Sequence, residues 1–286
     1  MLKHREDYRS INFIVITGLL YYGLIRINLE NIGIIQHMIY FILGLIGTIT
    51  VWMINHHHRH QSIFKEPIHN TLLNYLLSIL MGASSTYQNL IHQHNHEDFK
   101  SHKIPWTSND QLSKTHGLYK MINYFFQSMH HDSLFQKESQ ITGAVKLQII
   151  LERVLITLVA ALMAHTNLIN FLSFILPMWI VARFVYHVSN LLNHDGCQKE
   201  NGINRTRDFI SGIENWMFCN VGYSTAHYEN PNLHWSKLPE FHRRNIVPRK
   251  NKYLIVDSYS NYAYKYVLNQ ANQTKKEKSF SDLGRL

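Results

Sequence analysis

The chain has 286 residues, 45% of them hydrophobic and 16% charged, and a mean hydropathy of -0.18, which excludes a protein that is membrane throughout but admits long apolar spans joined to a polar remainder. Its 28 Lys and Arg against 19 Asp and Glu leave a net charge of +9, a balance that suits either nucleic acid or the cytoplasmic side of a membrane. Two cysteines, Cys197 and Cys219, exclude a disulfide framework and a cysteine-rich zinc site, whereas histidine is abundant at 20 residues, many of them grouped.

The start, MLKHREDYRS, is charged, and the apolar run after it is too long for a leader and lacks a small-residue cleavage site, so no cleavable leader is expected. Residues 11–29 form the first apolar run, interrupted only by Arg26 near its far end, where a long side chain can reach water. Residues 32–54 form the second, with no Asp, Glu, Lys or Arg. At about 1.5 Å per residue, roughly 20 residues cross a bilayer core, so both qualify as spans. A pair of buried helices in a soluble protein is the alternative. The cluster HHHRH, His56 to His60, follows at once.

Residues 71–91 are amphipathic, with small and polar residues in their second half, and read as a helix lying on or dipping into the interface. The cluster HQHNHE, His92 to Glu97, comes next. Residues 98–141 are polar with scattered aromatics and read as a cytosolic excursion. A third span is expected over 147–164; it contains Glu152 and Arg153, for which mutual or interhelical pairing is expected in preference to a functional role. A fourth span covers 168–189, and the tail from about 273 reads as disordered.

Charge supports four spans. The short loops 28–31 and 165–167 carry no Lys or Arg, while the N-terminus, residues 55–141 and everything after 190 hold nearly all the basic residues. That distribution accounts for the +9 without nucleic acid, and no interleaved basic and aromatic pattern of a nucleic-acid module is present. The expected fold is an all-α integral membrane protein of four transmembrane helices plus an interfacial helix, with a cytosolic cap. A cytosolic N-terminus (1–10) precedes the membrane domain (11–245), and a cytosolic segment (246–286) follows. Both termini and all histidine clusters then lie on the cytoplasmic face.

Residues i and i+4 share a helix face. His56 with His60, His92 with His96, and Asn190 with His194 have this spacing, and Ser224 with His227 stand at i and i+3. Imidazole is a good ligand for iron, zinc and copper, and repeated polar pairs at the ends of apolar helices are what a helix-bundle metal site requires. The four clusters are therefore expected to converge on one metal centre.

The C-terminal run HDGC, NWMFCNVGYSTAH and NPNLHWSKLPEFH, together with the earlier clusters and the span order, resembles the membrane fatty acid desaturase and hydroxylase superfamily over residues 32–244. The resemblance implies His56 and His60 as ligands of the first box and His92 and His96 as ligands of the second. It implies His194 as an additional ligand, Asn190 as a partner through water, and His227 as the remaining ligand of the third box. His57, His58 and His94 fall off these positions and are expected to be solvated or to support the ligands. The pattern departs at Glu97, where a second consecutive histidine is expected, and at Ser224 and Tyr228, which replace the outer histidines of the third box. Glu97 is a possible ligand and Tyr228 a possible phenolate, whereas Ser224 is a poor ligand.

The family's chemistry implies two iron ions, dioxygen, a lipid or acyl-chain substrate and a separate electron-donor protein. No glycine-rich phosphate loop stands in a context that would mark a nucleotide or flavin site, and no catalytic residue is singled out beyond the metal ligands. The expected function is desaturation of an acyl or related lipid chain. Hydroxylation, a non-catalytic lipid-binding role with a degraded metal site, and a zinc or single-iron hydrolase or lyase are the competing readings.

Overall fold

The computed structural model describes residues 1–100, 117–138, 141, 143–198 and 202–268, with the backbone alone for 94–100 and 134–138. The tail expected to be disordered from about 273 lies outside the described residues. Four helices are long and apolar enough to cross a membrane: α1 (Asp7–Arg26), α2 (Ile34–His60), α6 (Gly143–Thr166) and α7 (Leu168–His194). Between α2 and α6 lie α3 (Pro67–Met81), α4 (Ser85–Lys100) and α5 (Gly117–Glu138). After α7 come the short helices α8 (Gly212–Met217), α9 (Ser224–Glu229) and α10 (Leu238–Phe241), and then α11 (Tyr259–Val267). A two-residue parallel pair, β1 (Asp208–Phe209) and β2 (Ile255–Val256), is the sheet among the described residues.

The all-α, four-span architecture read from the sequence is the one observed, and two spans run longer than their apolar stretches. α2 continues through His60, so the first histidine cluster is the last turn of a membrane-length helix. α7 continues through His194 and takes a π-helical form over Phe171–Ile175. Pro177 explains this: it has no N–H to donate and its ring crowds the preceding turn, so the ladder widens there.

The chain divides into two compact units, Met1–Asn95 with Ser133–Tyr186, and His96–Asp132 with His187–Leu286. In the first, α1 packs on α2, α2 on α3, and α3 on α6. Large apolar side chains point outward, among them Leu19 of α1, Ile35 of α2 and Leu158 of α6, while Thr17, Thr48, Ser78 and Glu152 are buried. The Tyr21 hydroxyl bonds Thr48 Oγ1 at 2.7 Å and reaches the Leu80 carbonyl at 3.1 Å, tying three helices together. Asn170 Nδ2 donates to the carbonyls of Leu24 at 2.8 Å and Ile27 at 2.7 Å, answering groups that the end of α1 leaves without an intrahelical partner. Arg26 is exposed and its guanidinium lies over the Tyr22 ring at 4.8 Å.

The amphipathic run expected over 71–91 is broken. Gly82 ends α3 with φ +64, and a Cβ there would fall 2.4 Å from the Trp179 ring, so both the backbone and the packing exclude a side chain. α4 starts afresh at Ser85, where Glu152 of α6 anchors it. The Glu152 carboxylate accepts from Ser84 Oγ at 2.5 Å, Thr86 N–H at 3.1 Å and Thr86 Oγ1 at 2.6 Å, with Gln148 adding a fourth bond at 3.1 Å. The pairing expected of this residue is thus interhelical, and a carboxylate at a helix N-terminus also meets the favourable end of its dipole. Arg153 lies over the Tyr87 ring at 5.0 Å.

In the second unit, α5 and the end of α7 meet through polar side chains in antiparallel order. Asp132 faces His187 at 3.9 Å, the Tyr124 hydroxyl accepts from Asn190 Nδ2 at 2.8 Å, and Lys120 pairs with Asp195 at 2.7 Å. Residues 246–268, set apart from the membrane domain in the sequence reading, belong to this unit. Phe209 of β1 stacks on Tyr259 of α11 at 3.7 Å, and Glu214 of α8 caps the start of α11 by accepting from the N–H groups of Tyr259 and Ser260.

Glu152→Ala leaves the Ser84 and Thr86 donors without their acceptor in a buried site. It is expected to destabilise the protein by on the order of 3 kcal/mol, read as a lowered midpoint of thermal unfolding in detergent. An unchanged midpoint would show that α4 does not depend on this anchor.

Candidate metal centre

The first unit brings three imidazoles together. His56 and His60 lie one turn apart on α2, with ring centroids 5.6 Å from each other. His92, two turns into α4, comes to 4.2 Å from the His56 ring and 5.0 Å from the His60 ring. The Nε2 atoms of His60 and His92 are 2.8 Å apart, so one of them carries the proton and the other accepts it. The ligand nitrogens of all three lie within 4.8 Å of one another. Two imidazoles bound to a single zinc-like ion at about 2.1 Å each stand no more than about 4.2 Å apart, so small side-chain adjustments suffice to bring this set onto a metal. Neutral imidazoles are also suitable donors for iron.

Local sequence explains the convergence. Asn55 immediately precedes His56, and its Oδ1 accepts from Ser85 Oγ at 2.6 Å, joining the ligand turn of α2 to the first residue of α4. Ser85 N–H donates to Ser78 Oγ at 2.8 Å, which adds α3 to the same junction. With Glu152 holding the start of α4, the position of His92 is set from three sides.

His57 and His58 are buried rather than solvated. His58 Nδ1 accepts from the Ile63 N–H at 3.2 Å and shapes the turn that leaves α2, and His57 meets the His56 ring edge to face at 5.1 Å. The side chains of His94, His96 and Glu97, on the following turns of α4, lie outside the described residues.

The second unit holds His194, His227 and Asn190. His194 Nδ1 is 3.2 Å from the Arg205 carbonyl oxygen. A carbonyl only accepts, so this nitrogen carries the proton and Nε2 carries the lone pair, the tautomer in which metal-ligating histidines are usually held. Nε2 faces the Tyr228 hydroxyl at 3.2 Å, which donates to it. Burial pushes the Tyr228 phenol above its ordinary value, so without a metal the hydroxyl keeps its proton. His227 is buried on α9, 5.9 Å from the Tyr228 ring. Ser224 Oγ reaches the Val221 carbonyl at 3.5 Å, and the Tyr259 hydroxyl donates to Asn193 Oδ1 at 2.6 Å. Asn190 is held by Tyr124.

The segment around His194 is clamped on both sides. Arg207 donates to the carbonyls of Leu192 and Asp195, and its guanidinium lies 4.4 Å over the Tyr262 ring. Burial pushes the Asp195 carboxyl up, but Lys120 and the Tyr266 hydroxyl more than offset this and hold it below its ordinary value.

Sequence reasoning missed the group that positions α9. Asp208 is wholly buried; its Oδ1 accepts from Thr225 N–H at 2.7 Å in the first turn of that helix, two residues before His227. Its Oδ2 meets His242 Nε2 at 3.1 Å and Lys250 Nζ at 3.3 Å. Lys250 also donates to the Thr206 carbonyl at 2.7 Å and to the Thr225 hydroxyl. Burial pulls the Lys250 ammonium below its ordinary value, against the pull of Asp208. His242 thus supports the His227 helix through Asp208. A Cβ at Gly222 would fall 2.1 Å from the Phe209 carbonyl oxygen, so the glycine before Tyr223 lets β1 lie directly against this loop. The only sequence sign of Asp208 is a single acid among basic and apolar neighbours, in NRTRDFI.

A family model described as "Fatty acid desaturase" matches residues 33–257. A curated relative, the sphingolipid delta(4)-desaturase of Candida albicans (strain SC5314 / ATCC MYA-2876), is 22% identical over 225 residues, 71% of this chain. The matched stretch spans 60% of that relative's length. With more than half of its residues matched by the family model, the chain belongs to the fatty acid desaturase family.

Proposed function

We propose that the chain is a membrane oxidoreductase that desaturates the acyl or related long chain of a lipid, with a di-iron centre and dioxygen. The ligands in this reading are His56, His60, His92, His96, His194 and His227, with Asn190 acting through water and Glu97 as a further carboxylate. The observation that carries it is the convergence of His56, His60 and His92, which leaves three imidazoles aimed at one point at the cytoplasmic-side end of a membrane-length helix in the sequence topology. Iron bound there would supply dioxygen activation and the removal of hydrogen from an unactivated C–H bond. The chain's own residues orient the ligands. The Arg205 carbonyl fixes the His194 tautomer, Asp208 fixes the helix of His227, and Glu152 fixes that of His92. Electrons come from a separate donor protein, and the long-chain substrate class is consistent with the activity named for the fungal relative.

Hydroxylation begins with the same hydrogen removal and is the neighbouring outcome. A non-catalytic reading draws on one specific observation: Ser224 and Tyr228 stand at ligand positions of the family pattern, and their hydroxyls reach the Val221 carbonyl and His194 instead.

Expression in a host with a defined lipid profile, together with a reductase chain, is expected to yield a new unsaturated or hydroxylated lipid that disappears in His92→Ala. An unchanged profile from iron-loaded protein supplied with electrons would overturn the enzymatic reading.

Tyr228→Phe tests the altered box separately. Removing the hydroxyl that occupies the His194 lone pair is expected to tighten iron binding about 2- to 10-fold, the scale of one hydrogen bond, with no loss of visible absorption from the ferric protein. Weaker binding together with loss of a visible charge-transfer band would show that Tyr228 is itself a ligand.

A further inference from the structure

α5 is turned inside out relative to a helix of a water-soluble protein. Lys120, Tyr124, Ser128 and Asp132 are buried, with exposures of 6%, 0%, 1% and 6%. Leu118, Tyr119, Ile122 and Phe126 face outward, with exposures of 50%, 67%, 40% and 64%. At 100° per residue these four fall within about one third of the helix circumference, on the side opposite Lys120 and Tyr124. The same side continues at His130 and Ser133, both exposed, so the outward face changes from apolar to polar along the helix.

A face of this size and composition needs a non-aqueous neighbour. The chain's four membrane-length helices put a bilayer beside every copy, whereas a protein partner would be optional. An apolar stretch followed by polar positions is the profile of a helix lying in the interface with one end toward water, and an exposed tyrosine suits the headgroup level. The net charge of +9 suits an anionic lipid surface. The inner face of the same helix meets His187, Asn190 and Asp195, which flank the His194 ligand position.

We propose that Leu118, Tyr119, Ile122 and Phe126 seat α5 in the lipid interface, so that contact with the bilayer steadies the helix whose polar face grips the Asn190 to Asp195 segment. The inference rests on the reading that the chain spans a bilayer.

The test uses the full chain in nanodiscs of phosphatidylcholine and phosphatidylglycerol. Nitroxides are attached at Ile122→Cys and Phe126→Cys, with Leu158→Cys on the outer face of α6 as the lipid reference and the exposed Glu240→Cys as the aqueous one. The labelled parent chain serves as the blank for Cys197 and Cys219. Spin-relaxation enhancement by oxygen, which concentrates in lipid, is compared with that by a water-soluble nickel chelate. The proposal expects oxygen to dominate at 122 and 126 as it does at 158, and the chelate to dominate at 240. Dominance of the chelate at 122 and 126, with 158 still favouring oxygen, would put the face in water and overturn the proposal. Exclusion of both reagents at 122 and 126 would mean a protein covers the face, and would overturn it equally. Chelate access at 158 would overturn the spanning reading itself, and the proposal with it.

Discussion

Lipid offers no hydrogen bonds, so the polar groups of helices that cross it must be answered from within the protein. That constraint organises the first unit. Tyr21, Thr48, Asn170 and Glu152 all point inward and bond to neighbouring helices, while leucine and isoleucine face out. The polar junction of Asn55, Ser85 and Ser78 continues this inward polarity to the end of α2, where His56, His60 and His92 meet. The donor set is thus the far end of a polar seam that the helices require for their own stability.

The second unit meets a different constraint with the same means. It buries charges, and a buried charge is tolerable only when paired and hydrogen-bonded. Asp208 with Lys250 and His242, and Asp195 with Lys120 and Tyr266, satisfy that condition. Each cluster ends within two residues of a candidate ligand: at Thr225, two before His227, and at Asp195, next to His194. Removing one partner from such a cluster leaves a charge unanswered in a dry site, so the geometry at the ligands is held by networks that resist partial change.

Much of this was legible in the sequence. Span length and the absence of charge marked the four membrane-length helices, and i, i+4 spacing put His56 with His60. Other features were hidden for identifiable reasons. Apolar periodicity shows that a helix has two faces but not which one is inward, so α5 read as a polar excursion although Leu118, Ile122 and Phe126 face out. The break at Gly82 depends on a tertiary contact with Trp179 that no local pattern records. Asp208 and Lys250 are far apart in sequence and meet only in the fold. The altered positions Ser224 and Tyr228 were visible as departures, but the bond from Tyr228 to His194 forms only in the fold.

The central claim is that this scaffold holds an iron centre built on His56, His60 and His92. Metal analysis of the full chain purified from iron-replete cells tests it most directly, alongside a variant with all three residues changed to alanine. The account predicts about two iron ions per chain, as in carboxylate- and histidine-ligated helix-bundle centres, and loss of that iron in the variant. A chain without iron, or iron that survives removal of the three histidines, would contradict it.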